Sequence, residues 1–172
     1  MLKVDLDNTL LPTNSLPFLF NPNPPNSQDY CKHIKPDTAL QQLLEQIPYH
    51  KSIITNASSE HAKLSLKFLG IDHCISMMID AEQMKYMLKP NRIPYHLAIE
   101  GEKQLINSPQ MHNMHQISQI PQIPQIQKIF FDDLIENLIY PAQLGWITVY
   151  IGPLDILPKP IPDYVHYSFR NI

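Results

Sequence analysis

The sequence predicts an α/β domain built on a parallel sheet covered on both faces by helices. Three observations carry that expectation. Short apolar bursts recur along the chain, stretches with helical spacing lie between them, and acidic pairs stand at the ends of two bursts. Strands alternating with helices become parallel neighbours when each helix crosses over a face of the sheet. At 172 residues the chain is expected to form one domain, 1–172, around one core. Ligands of such sheets bind beyond the carboxyl ends of the strands, so the acidic pairs mark the candidate site.

The first burst, 2–6, reads as a buried strand running into Asp5-Leu6-Asp7-Asn8-Thr9-Leu10. Residues 11–33 break the rhythm. Pro12, Pro17, Pro22, Pro24 and Pro25 among Asn and Ser block long helices, so a looped flap over the site is expected there, with Phe18, Leu19 and Phe20 as its contacts. Leu40, Leu43, Leu44 and Ile47 share a helical face behind an N-cap at Asp37. A second strand, 52–55, ends at Thr55-Asn56. Ala62, Leu64, Leu66, Phe68 and Leu69 then form a helix stopped by Gly70. A third burst, 74–79, precedes Lys89-Pro90, and proline keeps the lysine backbone out of the helix expected over 93–106.

Residues 107–127 read as a low-complexity surface connection, with QIS, QIP, QIP and QIQ following one another from Gln116. A fourth strand, 129–131, ends on Asp132-Asp133. A helix over 134–144, stopped by Gly145, and a fifth strand over 147–151 complete the pattern, with Trp146 expected in the core.

Composition excludes several function classes. The net charge is −3, with Lys and Arg scattered, and no basic stripe matches a nucleic-acid backbone, so duplex binding is not expected. Cys31 and Cys74 are too few for a disulfide framework and form no CxxC pair, which fits a reducing cytoplasm. No apolar run reaches the length of a membrane span, and no leader is expected ahead of Asp5. His112 and His115, an HxxH pair without helix signals, are read as structural, as are Met77, Met78, Met84, Met87 and His61.

Asp5 and Asp7 meet at one point if the chain turns sharply between them. Asp5 can then attack phosphorus while Asp7 protonates the leaving oxygen and later deprotonates water. The pair alone also reads as a solvated turn. Thr55 and Asn56, before a helix, can hold a phosphate oxygen through the hydroxyl and backbone N–H groups, or simply cap the helix. Lys89 is either a solvated surface lysine or the cation that neutralises nucleophile and phosphoryl group. Asp132 and Asp133 are the stronger signal. Carboxylates beside apolar strands repel one another unless a hard cation offsets the charge, so Asp5, Asp7, Asp132 and Asp133 are the expected Mg²⁺ residues, Asp132 directly and Asp133 through water or Lys89. The expected activity is Mg²⁺-dependent hydrolysis of a small phosphomonoester through an aspartyl phosphate. Two alternatives stand beside it, a phosphatase for macromolecular or phosphoprotein substrates and a non-catalytic interaction module.

Asp5, Asp7 and Thr9, then Thr55, then Lys89, then Asp132 and Asp133 follow the order of the four motifs of the haloacid dehalogenase superfamily, which this chain resembles. The resemblance implies that superfamily's three-layer, Rossmann-like core. KPDTALQQLLEQIPYHKSIITNASSEHAKLSLKFLGI (35–71) and FFDDLIENLIYPAQLGWITVYIG (130–152) look like its pyrimidine 5'-nucleotidase branch, which implies a nucleoside monophosphate as substrate. The likeness further implies magnesium on Asp5, the Asp7 carbonyl and Asp132, with Asn137 ordering the metal loop. Where that branch inserts a helical cap, this chain has only 11–33. An open site follows, closed by that loop or by a second copy of the chain.

Overall fold

A computed structural model describes residues 1–13, 16, 27–106 and 127–170. Six strands form one sheet: β1 (Leu2–Val4), β2 (Lys51–Ile54), β3 (Met77–Ile79), β4 (Ile129–Asp132), β5 (Ile147–Ile151) and β6 (Tyr167–Phe169). All pairings are parallel, in the order β3-β2-β1-β4-β5-β6. The helices are α1 (Ser27–His33), α2 (Thr38–Gln46), α3 (Ser59–Leu69), α4 (Ile93–Ile106) and α5 (Ile139–Gln143). The fold is thus the expected Rossmann-like α/β class. The order reverses direction between β1 and β4, the switch point at which doubly wound sheets open a crevice.

Alternation along the strands sorts side chains into two cores. Val4, Ile53 and Phe131 pack with Tyr30, Leu44, Leu66 and Leu69 from α1, α2 and α3. Ile54 and Phe130 face the other way and pack with Tyr95 and Ala98 of α4, Leu138 and Trp146. Trp146 is therefore in the core, as is Met84, whereas Met87 is exposed. At Gly101 of α4 an added Cβ would meet Met77 Sδ of β3, so the Met77 side chain would have to move.

Several helix ends follow the sequence signals. Asp37 caps α2 by accepting from Leu40 N at 2.9 Å. Gly70, at φ 76°, stops α3 and lets Ile71 N donate back to Leu66 O at 3.1 Å.

Four expectations need correction. The third strand is shorter, because a 3-10 turn over Asp72–Cys74 occupies the start of that burst. The edge strand β6 was not expected, since Tyr167 and Phe169 are exposed and three residues give no burst to detect. The helix over 134–144 is instead a 3-10 turn, Ile135–Leu138, followed by the short α5. Pro141 has no N–H to give the Asn137 carbonyl, and the Tyr95 hydroxyl donates to that carbonyl at 2.8 Å. Lastly, the 11–33 segment is not all loop. No proline follows Pro25 until Pro36, which leaves room for α1, whose Tyr30 is 1% exposed. Phe18, Leu19, Phe20, His112, His115 and nearly all of the glutamine-isoleucine repeat lie outside the described residues.

Candidate active site

Register brings the two acidic motifs together. Val4 stands beside Ile53 and Phe131, and one step further Asp5 N donates to Phe131 O at 2.9 Å. Asp5 therefore ends β1 level with Asp132 at the end of β4. The chain then folds back at once. Leu10 N and Leu11 N both donate to Leu6 O, at 3.0 and 2.9 Å, and Asn8 takes the left-handed conformation at φ 56°. Asparagine tolerates that backbone better than most residues. Leu6 is fully buried, and Asp5 and Asp7, on either side of it, both line one cleft of about 170 Å³. Asn8, Thr55, Asn56, Lys89, Asp133, Leu134 and Asn137 complete its lining.

Lys89 is not a surface lysine. Its Nζ donates to Asp5 Oδ1 and Asp132 Oδ2, each at 2.6 Å, with all three side chains buried. Burial works against the ammonium, but Asp132 and Asp5 outweigh it and hold its pKa above the usual lysine range. Asp132 is also held from the other side: its Oδ1 accepts from Leu134 N and Asn137 Nδ2, both at 2.9 Å. The lysine contact thus falls on Asp132, while Asp133 interacts with the Asn8 side chain. Thr9 is buried, and its hydroxyl donates a long bond, 3.4 Å, to Asp5 Oδ2.

Thr55 continues β2 by donating its N–H to Ile79 O at 2.9 Å. Its Oγ1 accepts from Ala57 N at 3.1 Å, leaving the hydroxyl hydrogen to donate into the cleft. The expected phosphate contact here runs through the Thr55 hydroxyl and backbone N–H groups, and the Asn56 side chain has a further task. It donates to Lys89 O at 3.1 Å and accepts from Lys89 N at 2.7 Å, so it fixes the backbone that delivers the lysine.

The acids outnumber the cation. Burial pushes the Asp5 carboxyl up to about 8, with Lys89 opposing and Asp132 and Asp7 adding to the rise. Burial and the Asp132 charge push Asp133 up to about 6. Side-chain oxygens of Asp5, Asp132 and Asp133 lie within 4.8 Å of one another. Such an all-oxygen donor set with surplus negative charge suits a hard divalent cation, so these residues fit magnesium.

His61, read from the sequence as structural, and Tyr30, given no role there, both connect to Asp7. His61 Nε2 lies 2.8 Å from Asp7 Oδ1, and its Nδ1 lies 2.6 Å from the Tyr30 hydroxyl. His61 lies in the first turn of the helix that follows Thr55, and that placement is the signal the sequence offered. Among the described residues no helix is long and apolar enough to cross a membrane.

No protein-family model matches the sequence, and no curated protein matches it either. Solved structures do match in fold. A subfamily IA hydrolase of the haloacid dehalogenase superfamily from Geobacter sulfurreducens is 11% identical over 99% of this chain and 94% of its own, with a TM-score of 0.56. The Bacillus subtilis HAD-hydrolase YfnB, in a form bound to magnesium, is 14% identical over 99% and 93%, with a TM-score of 0.57. A dehalogenase is 19% identical over 78% of this chain at a TM-score of 0.52, and this chain spans only 50% of its length. The neighbours speak to the core and leave the nucleotidase branch untouched. From the sheet order, the site at its switch point and these neighbours, the chain has the fold of the haloacid dehalogenase superfamily.

Proposed function

We propose that the protein is a magnesium-dependent phosphomonoester hydrolase working through an aspartyl phosphate on Asp5. The observation that carries this reading is the presence of a second carboxylate, Asp7, in the same cleft as the buried Asp5–Lys89–Asp132 cluster. Displacement of a halide needs no proton donor, whereas an alkoxide leaving from phosphorus does. Asp7 therefore favours phosphate esters over the haloacids suggested by the dehalogenase neighbours.

In the first step an Asp5 oxygen forms a bond to phosphorus as the bond to the leaving oxygen breaks, and Asp7 gives its proton to that oxygen. In the second, Asp7 takes a proton from water, the water oxygen bonds to phosphorus, and the Asp5–phosphorus bond breaks to release phosphate. Lys89 holds a positive charge beside the nucleophile throughout, and Thr55 with the Asn56 backbone would orient the phosphoryl oxygens. Magnesium would be held by Asp5, the Asp7 carbonyl and Asp132, with Asp133 behind them, and would supply neutralisation of phosphoryl charge. A small substrate suits the cleft volume, and the likeness of 35–71 and 130–152 to pyrimidine nucleotidases makes a nucleoside monophosphate the first choice.

The test is phosphate release from nucleoside monophosphates, sugar phosphates and phosphopeptides, with and without Mg²⁺, run beside halide release from 2-haloacids. Mg²⁺-dependent phosphate release with nucleotides preferred is the expected result. Halide release alone would refute the phosphatase reading, and preference for phosphopeptides would refute the small substrate.

A further inference from the structure

Asp7 is tied to a side-chain chain that leads away from the cleft. Its Oδ1 lies 2.8 Å from His61 Nε2, and His61 Nδ1 lies 2.6 Å from the Tyr30 hydroxyl. His61 comes from the first turn of α3 and Tyr30 from α1, the helix at the end of residues 11–33. The Tyr30 ring stacks on Phe68 of α3 at 6.5 Å between centroids with 17° between planes, so its hydroxyl is aimed by packing. The two contacts also decide the imidazole tautomer. With Asp7 as a carboxylate, which only accepts, Nε2 carries the hydrogen, and in that tautomer Nδ1 accepts from the tyrosine. Tyr30 keeps its proton to donate, since burial with the charges of Asp7 and Glu60 pushes its pKa up to about 12.

We propose that His61 and Tyr30 are positioning residues for Asp7, with the Tyr30 hydroxyl fixing the His61 ring and His61 Nε2–H holding one Asp7 oxygen so that the other is presented to the cleft. An unrestrained aspartate two residues past a strand end has several rotamers, and in most of them its carboxyl misses the leaving oxygen. The side-chain chain reduces them to one. It also makes the orientation of the acid depend on α1 being docked, which gives the shortened 11–33 segment a role at the site through α1 and Tyr30. The inference rests on the phosphatase reading for its kinetic consequence and on geometry alone for its structural one.

The two are tested separately. Crystal structures of wild type and His61→Ala decide the positioning whatever the substrate. Asp7 turned away from the cleft in the variant supports it, and an unmoved Asp7 overturns it. In kinetics the readout is kcat/KM, which stops at formation of the phosphoenzyme, compared between an alkyl phosphate and an aryl phosphate of good leaving ability. His61→Ala should lower kcat/KM about 10- to 100-fold on the alkyl ester but only about threefold or less on the aryl ester. His61→Gln, which restores a donor near the Nε2 position, should recover most of the loss, and Tyr30→Phe should show a smaller loss of the same selectivity. Equal losses on both esters, or none, would overturn the proposal. A wild type that hydrolyses neither ester would refute the phosphatase reading, with the crystal structures still deciding whether His61 holds Asp7.

Discussion

Lys3 and Asp5 stand two residues apart on the same face of β1, and each anchors a buried ionic cluster of opposite make-up. At Lys3 one acid lies between two cations: Glu102 of α4 pairs with Lys3 and, at 2.8 Å, with Lys128. The two ammonium groups rest on the Trp146 ring at 5.0 and 5.6 Å. At Asp5 one cation, Lys89, lies between two acids. Their pKa values move in opposite directions. Burial, with the Lys128 charge adding, brings Lys3 down to about 7, whereas burial of Asp5 takes its carboxyl up to about 8.

The difference lies in where the surplus charge goes. Lys128 is 26% exposed and lets its cation reach water, so the Lys3 cluster is complete as it stands. The surplus at the other end is negative and faces a cleft lined by two more acids, Asp7 and Asp133. On the proposed function, one cluster is structural and the other receives a cation.

The largest expected effect breaks the closed cluster. Glu102→Ala removes the carboxylate that pairs with the buried Lys3 and should lower stability by about 3–5 kcal/mol in urea unfolding, with no recovery on adding Mg²⁺. Lys89→Met should lose less, about 1–3 kcal/mol, because Asp5 can take up a proton from the cleft, and Mg²⁺ should return part of the loss. Recovery by Mg²⁺ in both variants, or in neither, would erase the distinction between the clusters.

A smaller effect sharpens it. The folded-state pKa of Asp5 lies above the ordinary carboxylate value, so its contribution to stability is fully present below about pH 4 and is lost as pH rises through about 8. Asp133, raised to about 6, acts in the same direction over the lower part of that window. The melting temperature of the metal-free protein should therefore fall by several degrees between about pH 5 and pH 8, and Mg²⁺ should reverse the fall. Asp5→Asn should flatten the profile, and an equally steep profile in that variant would assign the pH dependence to other groups.

These two clusters also show what the chain's pattern could reveal. DLDNTL and FFDD were legible because acids at strand ends violate the apolar pattern around them, and the helix stops at Gly70 and Gly145 because glycine there takes φ 76°. Lys3 was invisible. Its partner lies 99 positions away on a helix whose periodicity says nothing about a strand facing it. The links from Asp7 to His61 and from His61 to Tyr30 span 54 and 31 positions, and a single histidine on a helix reads as surface or core until its partners are known. The break in the helix after Leu134 was foreseeable in part, since Pro141 stood in it, but the hydroxyl that satisfies the freed carbonyl comes from Tyr95.

The central claim, that the open cluster is a magnesium-dependent phosphoryl-transfer site with Asp5 as nucleophile, is tested most directly by phosphate release from an aryl phosphate. Purified wild type and Asp5→Asn are compared with and without Mg²⁺, with circular dichroism confirming that the variant is folded. Turnover by the wild type only with Mg²⁺, and none by folded Asp5→Asn, is the predicted result. Turnover that ignores Mg²⁺, or hydrolysis by Asp5→Asn at a rate near that of the wild type, would contradict it.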